Sequence, residues 1–281
     1  MLLCASLNKN GHKKFKIRDT NSQFQSIYFR TYKNSYEPDV SAAIEVFLKE
    51  DSVFVDIGSN WGHHAFNAVL NKKAKAILFE PNPDVFEDIL RISYDLGVSA
   101  SINAHNVALS NQKGQLTLEQ HYFESGIASI DKSFSISSAI TNPRLKKLKN
   151  FFNLPSITNT STVKTLDSFS LSHADLIKID AEGVELEILR GAKKTLKELK
   201  PIVIFEFHSG DLTQYNHYKI FFDSIQYSIY TLECSKLNES ENSYAFKIYP
   251  VETLKTNYQY NLLAAPKDID FKNYGFLSDI T

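Results

Sequence analysis

From residue 53 onward the chain alternates short apolar runs with helical periods, and four of the apolar runs carry an acid at or just past their carboxyl end. That pattern restricts the fold more than any other feature. Residues 53–57 read as a buried strand closed by Gly58, followed by a helix over about 62–70 and a strand over 76–79. Asn82 and Pro83 then read as a helix cap and first-turn proline. Val85, Phe86, Ile89, Leu90 and Leu96 follow at helical spacing, and Gly97 stops the helix. A third strand is expected over 101–109. Alternation resumes with a strand at 175–180, a helix at about 184–199, a strand at 202–207 and a helix near 213–224. Residues 227–232, 245–249 and 261–265 are closing strands, with a polar loop at 235–243. Ahead of the alternation, Val40, Ala43, Ile44, Phe47 and Leu48 mark a helix begun by Pro38. Repeated strand–helix units fold as an α/β domain, a mostly parallel sheet with helices on both faces.

Two stretches fall outside the pattern. Residues 1–35 are polar and aromatic without a clean period, a short cap ahead of one domain at 36–281. Residues 120–160 form an insertion, part loop and part helix, with Ser125-Gly126-Ile127 and a basic cluster of Arg144, Lys146, Lys147 and Lys149. The cluster is either part of a lid suited to a phosphate-bearing ligand or a solvated helix face.

The 31 Lys and Arg against 32 Asp and Glu leave a net charge of −1, which excludes nucleic-acid binding driven mainly by charge. Cys4 and Cys234 are too few for a disulfide scaffold or a cysteine zinc site, which points to a reducing, cytoplasmic setting. No run approaches the ~20 apolar residues of a membrane span, and the order of the first 14 residues is wrong for a signal peptide.

In such sheets ligands bind beyond the carboxyl ends of the strands. Asp56-Ile57-Gly58-Ser59-Asn60-Trp61-Gly62 puts an acid before a two-glycine turn into a helix. Asn60 and His63 stand where a dinucleotide GxGxxG needs glycine, and no Gly-Lys-Ser/Thr follows for a phosphate loop. The leading acid repels a pyrophosphate and suits an ammonium. Glu80, in Glu80-Pro81-Asn82-Pro83, lies 24 residues after Asp56 and can accept both hydroxyls of a ribose. Strand alternation puts Lys178 and Asp180 on one face, away from Ile177 and Ile179. Asp180, Glu182 and Glu185 repel one another unless a cation, a metal or Lys178 offsets them. Glu185 alone reads as a helix N-terminal acid. Glu206 and His208 end the next strand, and His63 and His64 sit beside the glycine turn.

The series DIGSNWG, FEPNP, NVALSNQKG, VKTLDSF, DLIKIDAEGVELEILRGA and PIVIFEFH, in that order, resembles the FkbM family of S-adenosylmethionine-dependent methyltransferases over roughly residues 36–265. Ser59 stands where the family often has alanine. The resemblance implies a Rossmann-like class I methyltransferase fold, a seven-stranded sheet with its last strand antiparallel, and methyl transfer usually to oxygen. It implies that Gly58, Ser59, Asn60 and Gly62 wrap the methionine end of the cofactor and that Asp56 faces its ammonium. Glu80, with Pro81 and Asn82, would hold the ribose, and Val107 and Ala108 the adenine. Asp180 falls where the methyl group should point. A small-molecule or glycan acceptor, with a sugar hydroxyl as nucleophile, is the implied partner. Asp180, Glu182, Glu206 and His208 are then the candidates to accept its proton. Asp180 and Glu206 also match the oxygen ligands of Mg2+, but the metal-free form is the one adopted. Competing readings are a dinucleotide-dependent oxidoreductase, disfavoured by the missing glycine, and a non-catalytic cofactor- or glycan-binding relative.

Overall fold

The computed structural model describes residues 2–6, 14–18, 21, 24, 36–121, 124–130, 156–181, 183–208, 212–238, 243–251, 254–255 and 258–274. Strands β1 (Leu2–Ser6) and β2 (Lys14–Arg18) pair as an antiparallel hairpin within the expected N-terminal cap. Helix α1 (Pro38–Phe47) follows, with proline in its first turn as the sequence indicates.

The alternating core then runs β3 (Val53–Ile57), α2 (His63–Lys72), β4 (Lys75–Phe79), α3 (Pro83–Asp95) and β5 (Ile102–His105). Asn82 caps α3, its side-chain oxygen accepting the Asp84 N–H at 3.0 Å. The strand expected over 101–109 is two strands. β5 stays in the main sheet and β6 (Ala108–Leu109) leaves it for a second sheet. There β6 joins β7 (Gly114–His121), β8 (Glu124–Ile130) and β9 (Ser156–Lys164) in the order β6-β9-β7-β8. The described flanks of the expected insertion are therefore strands, and Arg144, Lys146, Lys147 and Lys149 lie outside the described residues.

The chain returns through β10 (Leu176–Ile179), α4 (Glu185–Gly191), α5 (Lys193–Leu199), β11 (Ile202–His208), α6 (Leu212–Ser224), β12 (Tyr227–Asn238), β13 (Ser243–Pro250) and β14 (Gln259–Pro266). The single helix expected over 184–199 breaks at Ala192. A Cβ on Gly191 would lie 2.0 Å from the Ser110 carbonyl oxygen, so the helix end rests directly on the loop after β6. Much of the polar loop expected at 235–243 is strand, because β12 continues to Asn238 and β13 starts at Ser243.

The main sheet has the order β13-β12-β14-β11-β10-β3-β4-β5. Strands β5, β4, β3, β10 and β11 are parallel, and β14 is antiparallel between β11 and β12. Seven strands thus follow the plan that the resemblance implies, and the strand read at 245–249, β13, is an eighth at the edge, antiparallel to β12. Strand alternation divides the core. Phe54, Leu78, Leu176, Ile204 and Leu263 pack under α1, α2 and α3, while Val55, Ile177, Phe205 and Leu262 pack under α4, α5 and α6. Strand order reverses between β3 and β10, so a crevice is expected at their carboxyl ends.

Candidate active site

The turn after β3 is built against the neighbouring strands. Gly58 adopts φ +73°, and a Cβ there would lie 1.8 Å from the Asp180 carbonyl oxygen. Only glycine lets the turn approach the end of β10 so closely. The Gly58 and Ser59 amides both donate to the Phe79 carbonyl, at 3.0 and 3.2 Å. Glu80 closes the arrangement from β4. Its Oε2 accepts the Asn60 N–H at 2.9 Å and its Oε1 the Asn82 N–H at 2.8 Å. Burial raises the Glu80 pKa to about 7 although both amides pull it down. Each oxygen keeps a lone pair for a further donor. Pro81 is partly buried, and Val107 and Ala108 are buried two and three residues past β5.

Around this turn several buried polar atoms have no partner. They are both Asp56 oxygens, Ser59 Oγ, Trp61 Nε1 and the Nδ1 atoms of His63 and His64. Asp56 is 1% exposed, and burial raises its pKa against the pull of Lys178 and His64. Burial lowers His63 to about 3, so it is neutral. The set contains acceptors at Asp56 and donors at Ser59 and Trp61, a mixture that an amino-acid zwitterion satisfies.

A second group occupies the face shared with α1. In register, Lys178 lies beside Asp56, and Glu206 beside Asn261. With Asp180 and His208 they extend polar chemistry past the apolar residues of the same face. Lys178 Nζ donates to Asp180 Oδ2 at 2.8 Å and lies 3.9 Å from Glu37 Oε2. Burial would lower the Lys178 pKa, but Asp180, Glu37 and Asp56 outweigh it and raise it well above the ordinary value. Lys178 is thus the charge that offsets these acids. Glu206 Oε2 pairs with His208 Nε2 at 3.1 Å, and Glu206 Oε1 accepts from Gln259 Nε2. Asn261 Nδ2 donates to Asp39 Oδ2 at 3.0 Å. His64 Nε2 lies 2.6 Å from Glu37 Oε2, and the Tyr36 ring stacks on the His64 ring at 5.7 Å.

The sequence-predicted Asp56, Gly58, Ser59, Asn60, Gly62, Glu80 and Asp180 therefore meet around one turn, with Glu206 and His208 along the same sheet face. Glu182 lies outside the described residues. Sequence reasoning missed Tyr36, Glu37, Asp39, Gln259 and Asn261. Only the proline after Glu37 marked that stretch, and it signals a helix start rather than a site. Glu185 does more than favour a helix N-terminus: its Oε1 accepts the Ala181 and Gly183 N–H groups at 3.0 and 2.9 Å, tying down the turn after β10.

The strand order, the glycine turn and the acid ending the second core strand define a Rossmann-like class I methyltransferase domain. The profile of the methyltransferase FkbM domain matches residues 56–248, more than half of the sequence. The chain belongs to the FkbM methyltransferase family. It is 29% identical over 180 residues to the hexuronic acid methyltransferase AglP of Haloferax volcanii, covering 62% of this chain and 63% of that protein. It is 26% identical over 166 residues to the 2-O-methyltransferase NoeI of Sinorhizobium fredii, covering 56% and 64%. The chain thus spans less than two thirds of the length of either relative. A solved FkbM methyltransferase from Methylobacillus flagellatus aligns over 89% of this chain and 48% of that one, at 15% identity and a TM-score of 0.44.

Proposed function

We propose that the chain is an S-adenosylmethionine-dependent O-methyltransferase acting on a sugar hydroxyl of a glycan, nucleotide sugar or glycosylated small molecule. The observation that carries the cofactor half is the set of unpartnered buried atoms around the glycine turn. Asp56 answers an ammonium, and Ser59 and Trp61 answer a carboxylate, at the methionine end of the cofactor. Gly58, Asn60 and Gly62 give that end its turn. Glu80, with Pro81 and Asn82, takes the ribose, and Val107 and Ala108 offer an apolar wall to the adenine. When bound, the cofactor supplies an electrophilic methyl group on a sulfonium.

The protein's own task is to orient the acceptor hydroxyl and take its proton. Asp180 is assigned that role, with Glu206 and His208 beside it and Glu182 retained as a candidate on sequence grounds. Lys178 already offsets the acids, so the metal-free form needs no added cation. The sugar acceptor draws support from the relatives named for hexuronic acid and 2-O methylation. The carboxylates, amides and imidazole of Asp39, Glu206, His208, Gln259 and Asn261 also offer the donors and acceptors that a polyhydroxyl ligand needs. The reading places the enzyme in the cytoplasm; no described helix is long and apolar enough to cross a membrane.

The test is transfer of labelled methyl from S-adenosylmethionine to a panel of glycans, uronic acids and nucleotide sugars, with cofactor affinity measured by calorimetry. Label in a sugar methyl ether is the expected result. A chain that binds no S-adenosylmethionine would sink the proposal.

A further inference from the structure

Glu37 stands outside the family match and precedes the first core helix. It occupies the N-cap position of α1, yet its side chain makes no capping bond there. Instead its carboxylate turns to two groups distant in sequence, His64 Nε2 at 2.6 Å and Lys178 Nζ at 3.9 Å. The residue carries two costs. Its backbone is left-handed, φ 42° and ψ 70°, a region a β-carbon disfavours. Its carboxylate is also largely buried, the side chain being 18% exposed. Burial would raise its pKa, but Lys178 and the bond from His64 outweigh it and hold it at about 2. An ionised acceptor at Nε2 holds a proton on that nitrogen. The His64 Nδ1 is buried and without a partner. Lys178 in turn carries the contact to Asp180 at 2.8 Å. A continuous series, His64–Glu37–Lys178–Asp180, thus ties α2, the start of α1 and β10 together.

We propose that Glu37 is a positioning residue for the transfer reaction, holding the His64 imidazole in its Nε2-protonated form and anchoring the Lys178 ammonium beside Asp180. The proposal rests on the methyl-transfer reading above. It gives a role to a strained, buried acid that stands where glycine or asparagine would cap the helix at lower cost.

Two variants of the full chain test it, with cofactor binding by the unaltered chain measured first. Failure of that binding overturns the methyl-transfer reading, whereas the following readouts concern Glu37. In Glu37→Gly, which relieves the positive φ, nitrogen-15 NMR of the His64 ring should pass from a fixed Nε2–H form to a mixture. Added formate should restore the parent spectrum. In Glu37→Gln, kcat on the sugar methylated in the panel should fall by about ten-fold or more, with cofactor Kd and acceptor KM within about three-fold. If Glu37→Gln does not fold, formate rescue of kcat in Glu37→Gly carries the same test. An unchanged His64 spectrum in Glu37→Gly overturns the proposal. So does a Glu37→Gln kcat near that of the parent, or a loss that follows cofactor affinity alone.

Discussion

Glu80 accepts two backbone amides and is still raised to about 7 by burial, so its charge responds to pH near neutrality. A carboxylate raised above its unfolded value of 4.5 stabilises the fold fully below that value. The contribution is lost as pH rises through about 7, and Glu185, also raised to about 7, acts in the same direction. On the proposed reading cofactor binding has the opposite sense, because ribose hydroxyls would donate to the ionised form of Glu80. Affinity for S-adenosylmethionine should weaken as pH falls below 7, by at most about ten-fold per unit for one proton. Calorimetry should find that slope absent in Glu80→Gln, and Glu80→Ala weaker by about ten-fold or more at pH 8. Asp180→Asn keeps shape and removes charge, so kcat should fall by roughly 10²-fold or more while cofactor Kd changes little. Near-normal turnover would remove Asp180 from the chemistry. These acids were legible because a strand's period of two and its carboxyl end fix where each side chain goes. Glu37 was not legible. Its partners lie 27 and 141 residues away, and only folding brings them together.

At the scale of elements, the turn after β10 depends on Glu185 rather than on its own sequence. Glu185→Ala leaves the Ala181 and Gly183 amides without their acceptor, at a cost of about 1–3 kcal/mol. A thermal melt should register that loss, and kcat should drop with it because the turn carries Asp180. A melt equal to the parent's would mean that water replaces the carboxylate. The break between α4 and α5 has a different origin. Gly191 touches the Ser110 carbonyl through the space a Cβ would fill, so two separate family motifs meet there. Nothing in a helical period announces such a contact, which is why 184–199 read as one helix. Gly191→Ala should destabilise the chain by about 1–3 kcal/mol through overpacking, measured by denaturant titration.

For the whole molecule, the described N-terminal residues Phe15, Arg18 and Phe24 pack beside the turn proposed to hold the cofactor. The buried Phe15 stacks on Trp61 at 6.0 Å and Phe24 meets it edge-on at 5.2 Å, directly behind the glycine turn. Arg18 bonds Asp84 at 2.9 Å and Asp88 at 3.1 Å on α3. Phe15→Ala should therefore cost about 3–5 kcal/mol of stability and weaken cofactor binding as well. Unchanged cofactor affinity in a folded Phe15→Ala would separate the cap from the site. The aromatic content of this stretch was visible in the sequence, but its partners were not, since it has no period to reveal a buried face. The main sheet was legible through its alternating units. Its edge strand β13 was legible too, at 245–249; what the seven-strand plan implied by the resemblance left out was its place as an eighth strand.

The division of the sheet into two faces has an evolutionary consequence. The two buried layers carry stability, and the glycine turn is the part proposed to hold the cofactor. The groups proposed to meet the acceptor come from the start of α1 and from the ends of β11 and β14. On the proposed reading, substitutions at Asp39, Gln259 and Asn261 leave the other two parts in place, so acceptor range can drift while cofactor use is inherited unchanged.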